Sequence, residues 1–381
     1  MKRRHALQRL AAGAAASLSY PALAQTERSI VLGQSAALSG PAAQLGIQMN
    51  SGARIYFDRL NADGGVNGRT VQLRALDDGY EPDRCRANTE TLIKQEGVFA
   101  LFGYVGTPTS LAALPLANAA GVPFFGAFTG AEALREPFSR WVFHVRASYY
   151  DETELIVRQL TALGLKRIAV FRQNDSYGQA GLDGVLRALK ARELRPTAVA
   201  LVERNSVDVA AAVKAIVADA PDAVVQISAY KSCAAFVRAA RKAGYGGTFY
   251  NVSFVGTKAL ADELGKEALG VVVSQVMPFP FSTTTAIARE YLDAVRKAGA
   301  GGDANITANY SSMEGYVCAK VFTEGLRRAG GPATREALVT ALESMQRYDA
   351  GGYIVSFGPR NHRGSSFVEL SMLSGDGKVR R

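Results

Sequence analysis

The sequence between Ala36 and Thr109 decides the fold of this chain. It contains the segments AALSGPAAQLG (36–46), LNADGGVNGR (60–69), LDDGYEP (76–82) and GYVGTPT (103–109). Each segment lies where a strand-like apolar run meets a helix-like one, and glycine, proline and small polar residues mark the change. This alternation predicts an α/β protein with parallel sheets and helices on both faces.

The same alternation continues along the chain. Residues 30–36 form a β-rich run, and the segment after them places one apolar face on a helix, at Met49, Ala53, Tyr56 and Leu60. Short apolar runs predict further strands at 71–75, 98–102, 122–125, 168–171, 197–202 and 223–227. Amphipathic segments predict further helices at 152–163, 182–191, 209–217 and 234–243.

Composition limits the class of protein. A chain of 381 residues with 48% hydrophobic residues normally forms two domains. The formal net charge of +10 falls to about +6 without the four cations at the N-terminus, and the remaining basic residues are scattered, which argues against a nucleic-acid partner. Cys85, Cys233 and Cys318 have no metal-binding spacing, and their disulfide state stays open.

The N-terminal residues have the features of an export signal. Four cations lie in the first nine residues, at Lys2, Arg3, Arg4 and Arg9. A short apolar run at 10–18 and the small residues of Ala22-Leu23-Ala24 follow, so we expect a signal peptide over 1–24 that is cleaved near Ala24. A membrane anchor is the alternative, but a bilayer span needs about 20 apolar residues. The route, Sec or twin-arginine, stays open.

Three loops lead from predicted strands into predicted helices. They are Ser39-Gly40-Pro41, the 103–110 segment with its hydroxyls at Thr107, Thr109 and Ser110, and Gly126-Ala127-Phe128-Thr129. In parallel sheets, ligands bind outside the carboxyl ends of the strands, where helix N-termini favour anions. Helix capping alone explains any one of these loops. Three loops at one edge predict a site for a carboxylate or another acceptor.

Behind an export signal, this order of segments resembles the periplasmic solute-binding proteins of the branched-chain amino acid ABC transporter family. The resemblance implies a type I periplasmic-binding fold, in which two doubly wound parallel-sheet lobes are joined by three hinge crossings, here near 146–149, 276–280 and 351–355. Lobe 1 then comprises 25–146 plus 279–350, and lobe 2 comprises 147–278 plus 351–381. The implied protein is a periplasmic monomer that closes on a small ligand and serves an inner-membrane permease and ATPase.

The resemblance also implies ligand contacts. The loop at Thr107 would bind the ligand's carboxylate, the 127–129 loop its head group, and Leu45 stands where an aromatic side chain often covers the ligand. Tyr177 and Tyr230 match aromatic residues of the second lobe, although helix-start packing explains Tyr177 equally well. The predicted ligand-binding residues are Leu45, Tyr104, Thr107, Ala127, Phe128, Thr129, Tyr150, Tyr177, Tyr230 and Ser253. Tyr149 is a further candidate for the wall of the site.

One departure from the family pattern concerns the ligand. Amino-acid binders of the family place a carboxylate in the second lobe for the ligand's ammonium, and here Ser253 in YNVSFVG stands at that position. An ammonium without a charged partner in a closed cleft is costly. We therefore expect a small polar or carboxylate-bearing solute with an aromatic or apolar body, such as an aromatic acid or an amide, rather than a standard α-amino acid. Asp151 or Glu152 could still supply the charge.

Other functions find less support. No dinucleotide fingerprint, P-loop or nucleophile elbow occurs, and His144 and His362 have no nucleophile nearby in sequence, so we expect no enzyme and no cofactor or metal. Asp77-Asp78 is better explained by turn capping than by catalysis. A ligand sensor for a signalling receptor and, less favoured, a hydrolase are the alternatives. Trp141, the only tryptophan, precedes the first crossing, so its emission is expected to change on ligand binding.

Overall fold

The chain is described here by a computed structural model that covers residues 29–301, 306–331 and 333–381. The expected signal peptide, 1–24, lies outside these residues. Strands and helices alternate along the chain, and most strand pairs are parallel, so the predicted α/β class is confirmed. None of the helices in the described ranges is long and apolar enough to cross a membrane.

The first sheet has five parallel strands in the order β2-β1-β3-β4-β5. Its strands are β1 (Ser29–Ala36), β2 (Thr70–Asp77), β3 (Ala100–Phe102), β4 (Phe124–Phe125) and β5 (Val142–Phe143). The unit built on this sheet is called the first lobe below. Strand order reverses at β1, which lies between β2 and β3, and such switch points are where α/β sheets bind ligands.

The second sheet has seven strands in the order β14-β13-β10-β9-β8-β6-β7, and the unit built on it is called the second lobe. Five strands are parallel: β6 (Ile168–Gln173), β7 (Val199–Val202), β8 (Ala223–Ile227), β9 (Thr248–Asn251) and β10 (Val272–Gln275). The tail adds β13 (Glu369–Leu373) and β14 (Val379–Arg380) antiparallel at one edge. Every residue of β8 is buried, as expected for a central strand covered on both faces.

The helices follow the strands in both lobes. They are α1 (Ala43–Ala62), α2 (Pro82–Lys94), α3 (Thr107–Ala119), α4 (Tyr149–Ala162), α5 (Ser176–Lys190), α6 (Ala210–Ala218), α7 (Tyr230–Lys242), α8 (Thr257–Leu264), α9 (Ala286–Ala300), α10 (Tyr310–Ala329) and α11 (Arg335–Glu343). Local sequence explains several helix starts. Ser148 and Asp151 form a reciprocal capping box at α4, and the Asp175 carboxylate accepts two backbone amides at the start of α5.

A small third sheet pairs β11 (Tyr348–Asp349) with β12 (Ile354–Val355) in antiparallel fashion. This pair spans the predicted boundary at residue 350, because its two strands were assigned to different lobes. The lobe boundaries and the positions of the hinge crossings stay predictions. Cys85, Cys233 and Cys318 are all buried free thiols, so these three cysteines form no disulfide in the structure.

Candidate functional site

Five aromatic residues that follow strands at their carboxyl ends touch one another between the two sheets. We call them the interlobe aromatic cluster: Tyr80, Phe128, Tyr149, Tyr177 and Phe254. The Phe254 ring lies 4.6 Å from the ring of Tyr177, 5.5 Å from Phe128 and 5.9 Å from Tyr80, and the Tyr149 and Tyr177 rings are 5.5 Å apart. Each of the five is at most 2% exposed. Rings from both lobes therefore enclose one region.

Hydroxyl groups line the same region. Thr107 Oγ1 and Thr129 Oγ1 are 2.6 Å apart, and Thr129 Oγ1 lies 3.3 Å from the hydroxyl of Tyr149. Within the described ranges, the buried Tyr177 hydroxyl has no hydrogen-bond partner. An unpaired buried hydroxyl costs free energy, so a further polar group beside the Tyr177 hydroxyl would gain a hydrogen bond from it.

Helix α3 points its N-terminus at these hydroxyls. It begins at Thr107, and its N-cap residue Gly106 makes no side-chain cap hydrogen bond. Gly106 has a φ of 101°, a conformation that favours glycine, and a Cβ at this position would overlap the ring of Tyr80. The first-turn amides of a helix lack intrahelical partners and attract anions. The geometry therefore suits a carboxylate or another acceptor.

Charged groups lie behind Phe128. The Arg146 guanidinium sits over the Phe128 ring, 4.9 Å from its centroid, and is 1% exposed. Its Nη2 lies 3.4 Å from Glu152 and its Nη1 lies 3.5 Å from Glu314. Burial alone would lower the pKa of Arg146, but Glu314 and Glu152 outweigh it and raise that pKa. One positive charge is thus shared by two buried carboxylates.

Glu152, one of the two residues that the sequence offered as a source of the missing charge, lies beside Ser253. Its Oε2 accepts from the Ser253 amide at 2.7 Å and from the Ser274 hydroxyl at 2.6 Å. Its Oε1 accepts from the Ser253 hydroxyl at 3.0 Å and from Arg146 at 3.4 Å. Arg146 Nη2 also contacts the Ser253 hydroxyl. A carboxylate has about four acceptor positions, so Glu152 is saturated by protein donors.

Glu314 has fewer hydrogen-bond donors around its carboxylate than Glu152 has. Its Oε1 has no hydrogen bond among the described residues, and burial raises its pKa to about 7 even though Arg146 opposes the shift. Between its ordinary value of 4.5 and about 7, the folded protein holds a proton on Glu314 that the unfolded chain has released. Stability contributed by this proton is therefore lost as pH rises through that window.

We expect Glu314→Gln to remove this pH dependence. Between pH 4.5 and 7.5 the wild type should lose about 3 kcal/mol more unfolding free energy than the variant, because a shift of one pKa unit is worth about 1.4 kcal/mol. Urea unfolding at several pH values measures the difference, and Glu90→Gln on the surface of α2 is the control. Parallel pH profiles for the wild type and Glu314→Gln would contradict the assignment.

Several predicted site residues join the region between the lobes. Phe128 and Tyr177 belong to the interlobe aromatic cluster, while Thr107, Thr129 and Ser253 contribute the polar contacts described above. Leu45 is buried and packs so closely on Gly256 of the second lobe that a Cβ there would overlap it. Tyr230 is 3% exposed, and burial raises the pKa of its hydroxyl while the backbone of Gln44 in α1 opposes the shift.

Three predicted residues lie outside the interlobe region. The Tyr104 ring packs 4.9 Å from Phe124, its hydroxyl lies 3.0 Å from that of Thr89, and Ala127 packs in the same small core cluster of the first lobe. Tyr150 lies in a surface groove under the guanidinium of Arg187, 5.0 Å from its ring centroid. Their side chains point away from the interlobe region because neighbouring backbone positions project to opposite sides.

Tyr230 is the first residue of α7. One further detail differs from the sequence prediction. Trp141 lies before β5, bonds its carbonyl to the Phe124 amide and would contact a Cβ at Gly121. This is the amino end of the strands, opposite the site, so the expected change of Trp141 emission is withdrawn.

Sequence reasoning missed five residues of the region: Tyr80, Arg146, Gln173, Phe254 and Glu314. Tyr80 lies in the quoted LDDGYEP segment, and its aromatic side chain beside a glycine turn was an available signal. Arg146 and Glu314 come together from positions far apart in the chain, so their pairing has no local signature. No group of three or more potential metal ligands occurs in the part of the chain that the structure describes.

Two α/β lobes that jointly bury rings, hydroxyls and a helix N-terminus define a two-lobed ligand-binding protein. Residues 29–378 match the family described as periplasmic binding protein, and the chain belongs to that family. The fold and the family are those of substrate-binding proteins rather than of enzymes. Membership places the protein in the periplasm.

Known relatives are similar to this chain over nearly its whole length. The chain is 25% identical to Leu/Ile/Val-binding protein homolog 8 of Brucella suis over 98% of this chain and 95% of that protein. A crystal structure of a possible leucine/isoleucine/valine-binding protein from Rhodopirellula baltica is 36% identical, with a TM-score of 0.87 over 93% of this chain and 96% of the other. A substrate-binding periplasmic protein from Ralstonia solanacearum is 34% identical, with a TM-score of 0.86 over 92% and 99%.

Proposed function

We propose that this chain is the extracytoplasmic substrate-binding component of an ABC importer. It captures one small solute and presents the closed form to an inner-membrane permease with its ATPase. The observation that carries the proposal is the interlobe aromatic cluster, whose rings come from both lobes and are at most 2% exposed. A solute reaches such a cluster only when the lobes separate. Binding then shifts the hinge equilibrium toward closure, since the ligand touches both lobes only in the closed form.

The N-terminus of α3 receives the ligand's carboxylate or amide oxygen. Thr107 and Thr129 supply hydroxyls there, and the amides of Thr107 and Thr109 add donors from the first turn, whereas Pro108 between them has no N–H. The aromatic rings of the cluster enclose the body of the ligand, which suits an aromatic or apolar group. The Tyr177 hydroxyl, which has no hydrogen-bond partner in the part of the chain that the structure describes, supplies one more polar contact.

The ligand carries no ammonium group that must be paired. Glu152 is the carboxylate nearest Ser253, and its acceptor positions are filled by two serines, a backbone amide and Arg146. An incoming ammonium would have to displace one of these donors inside a buried site, which is costly. An aromatic acid or an amide therefore fits better than a standard α-amino acid.

Matched ligand pairs test this ligand class. Calorimetric titration would compare 3-phenylpropanoate with L-phenylalanine and 4-methylpentanoate with L-leucine, since each pair differs only in the ammonium. We expect the compound without the ammonium to bind at least about tenfold more tightly, a difference of about 1.4 kcal/mol. Benzoate, phenylacetate and benzamide extend the series to other acids and amides. Tighter binding of either amino acid than of its partner would refute the proposed class.

A further inference from the structure

The segment Gly79–Glu81 of the first lobe reaches across to the second lobe. Glu81 lies 2.9 Å from Arg204 Nη2 and accepts a hydrogen bond from Asn205 Nδ2 at 2.8 Å. Asn205 Nδ2 also lies 3.3 Å from the carbonyl of Gly79. The Tyr80 hydroxyl accepts from Gln173 Nε2 at 3.2 Å. Three consecutive residues thus bond the opposite lobe beside the ligand site.

The partners in the second lobe are themselves held in place. Gln173 Nε2 donates to Asp175 at 2.6 Å, and Arg204 lies 3.7 Å from the same carboxylate. Asp175 in turn caps α5 through the amides of Tyr177 and Gly178. The contact surface for Gly79–Glu81 is therefore ordered by groups of the second lobe alone, so the segment meets a preformed surface.

Tyr80 adopts an unusual backbone conformation to make its contact. Its φ is +66°, in the left-handed region that bulky residues avoid, yet it is fully buried. Strain of this kind persists where surrounding structure enforces it and clusters at functional sites. Asp78 is the enforcing group, because its Oδ1 accepts the Tyr80 amide at 2.8 Å and its Oδ2 accepts the Ser35 hydroxyl at 2.7 Å.

The position of Tyr80 closes the site at the α3 end. Its ring packs on Gly106, the N-cap of α3, and faces Phe254 of the second lobe at 5.9 Å. The same side chain therefore walls the region where the ligand's acceptor would bind and bonds the opposite lobe. Asp78 acts through Tyr80 and is a positioning residue.

We infer that Gly79–Glu81 is an interlobe clasp that gives the ligand-free protein a closed population, with Tyr80 as its wall over the α3 end of the site. The inference rests on the hinge closure proposed above and not on the ligand class. Its polar contacts are partly exposed at Glu81 and Arg204, so salt weakens the clasp.

Distances between spin labels test the clasp without a ligand. Labels at Asp83→Cys and Val207→Cys flank the clasp in the two lobes, and all three native thiols are buried, so labelling is selective. The double variant Tyr80→Phe/Glu81→Gln keeps the ring and the side-chain volumes but removes the hydroxyl and the charge. Glu90→Gln, which changes an exposed charge on α2, is the matched control.

We expect a short-distance population in the labelled wild type that falls about threefold or more in the clasp variant and stays unchanged in the control. Raising the salt concentration should also decrease the short-distance population in the wild type. Absence of this population in the ligand-free wild type, or equal populations in the wild type and the clasp variant, would overturn the inference. 3-Phenylpropanoate could shorten the distance between the labels in both the wild type and the clasp variant while their ligand-free distance distributions are the same. That result would support closure on a ligand and would overturn the inference about the clasp.

Discussion

Arg146→Met is expected to lower the free energy of unfolding by about 3–5 kcal/mol, because it leaves buried carboxylates without their cation. Within the described ranges, Glu314 would lose its one ion-pair partner, and Glu152 would lose one of its four donors. Both carboxylates lie in the protein interior, where water cannot replace the guanidinium. Methionine keeps most of the volume, so the loss reports charge rather than a cavity.

Urea unfolding followed by circular dichroism measures this loss. The control is Arg74→Met, since Arg74 pairs with Glu96 at the surface with 69% of its side chain exposed, and such pairs contribute less than about 1 kcal/mol. At a pH well above 7, where Glu314 is ionised in the wild type, adding Glu314→Gln to Arg146→Met should restore part of the stability by removing one buried carboxylate that has lost its cation. A single variant within about 1 kcal/mol of the wild type would show that Arg146 does not balance these carboxylates.

Replacing Thr107 and Thr129 together by valine is expected to weaken ligand binding about tenfold to a hundredfold. Valine has the shape of threonine without its hydroxyl, and a hydrogen bond to a charged group is worth about 1.5–3 kcal/mol. The two hydroxyls lie 2.6 Å apart at the N-terminus of α3, so both would face the same acceptor of the ligand. Calorimetric titration with 3-phenylpropanoate measures the change.

The matched control is Thr89→Val. Thr89 is as fully buried as Thr107, but its hydroxyl bonds Tyr104 and the Cys85 carbonyl inside the first lobe. This variant should lower stability and leave the affinity unchanged. Equal affinity loss in Thr89→Val and in the Thr107/Thr129 variant would mean that the site responds to core stability, and it would remove the two hydroxyls from the ligand contacts.

Strong local patterns predicted much of the fold. Strand β8 was predicted at 223–227, where the structure places it, because a fully buried strand is a nearly continuous apolar run, here interrupted by Gln226. Helix α5 was predicted to begin at 182 but begins at Ser176. The glycines of SYGQAG lower helix propensity, while the Asp175 cap and close packing override it.

The site was less predictable than the fold. Loop positions at the ends of strands predicted that Phe128, Thr129 and Tyr177 lie close together, since the carboxyl ends of parallel strands share an edge, and their role in ligand binding stays a prediction. The direction of a side chain depends on local backbone geometry, which is why the sequence did not show that Tyr104 packs into the core of the first lobe. Contacts such as Arg146 with Glu314 depend on how distant segments pack, and a single sequence does not encode them in any local pattern.

Small-angle X-ray scattering of the wild type with and without saturating 3-phenylpropanoate tests closure on a ligand most directly. A solute held between two hinged lobes should decrease the radius of gyration and bind with one molecule per chain. One-to-one binding that leaves the scattering curve unchanged would place the solute outside the interlobe region and contradict the account.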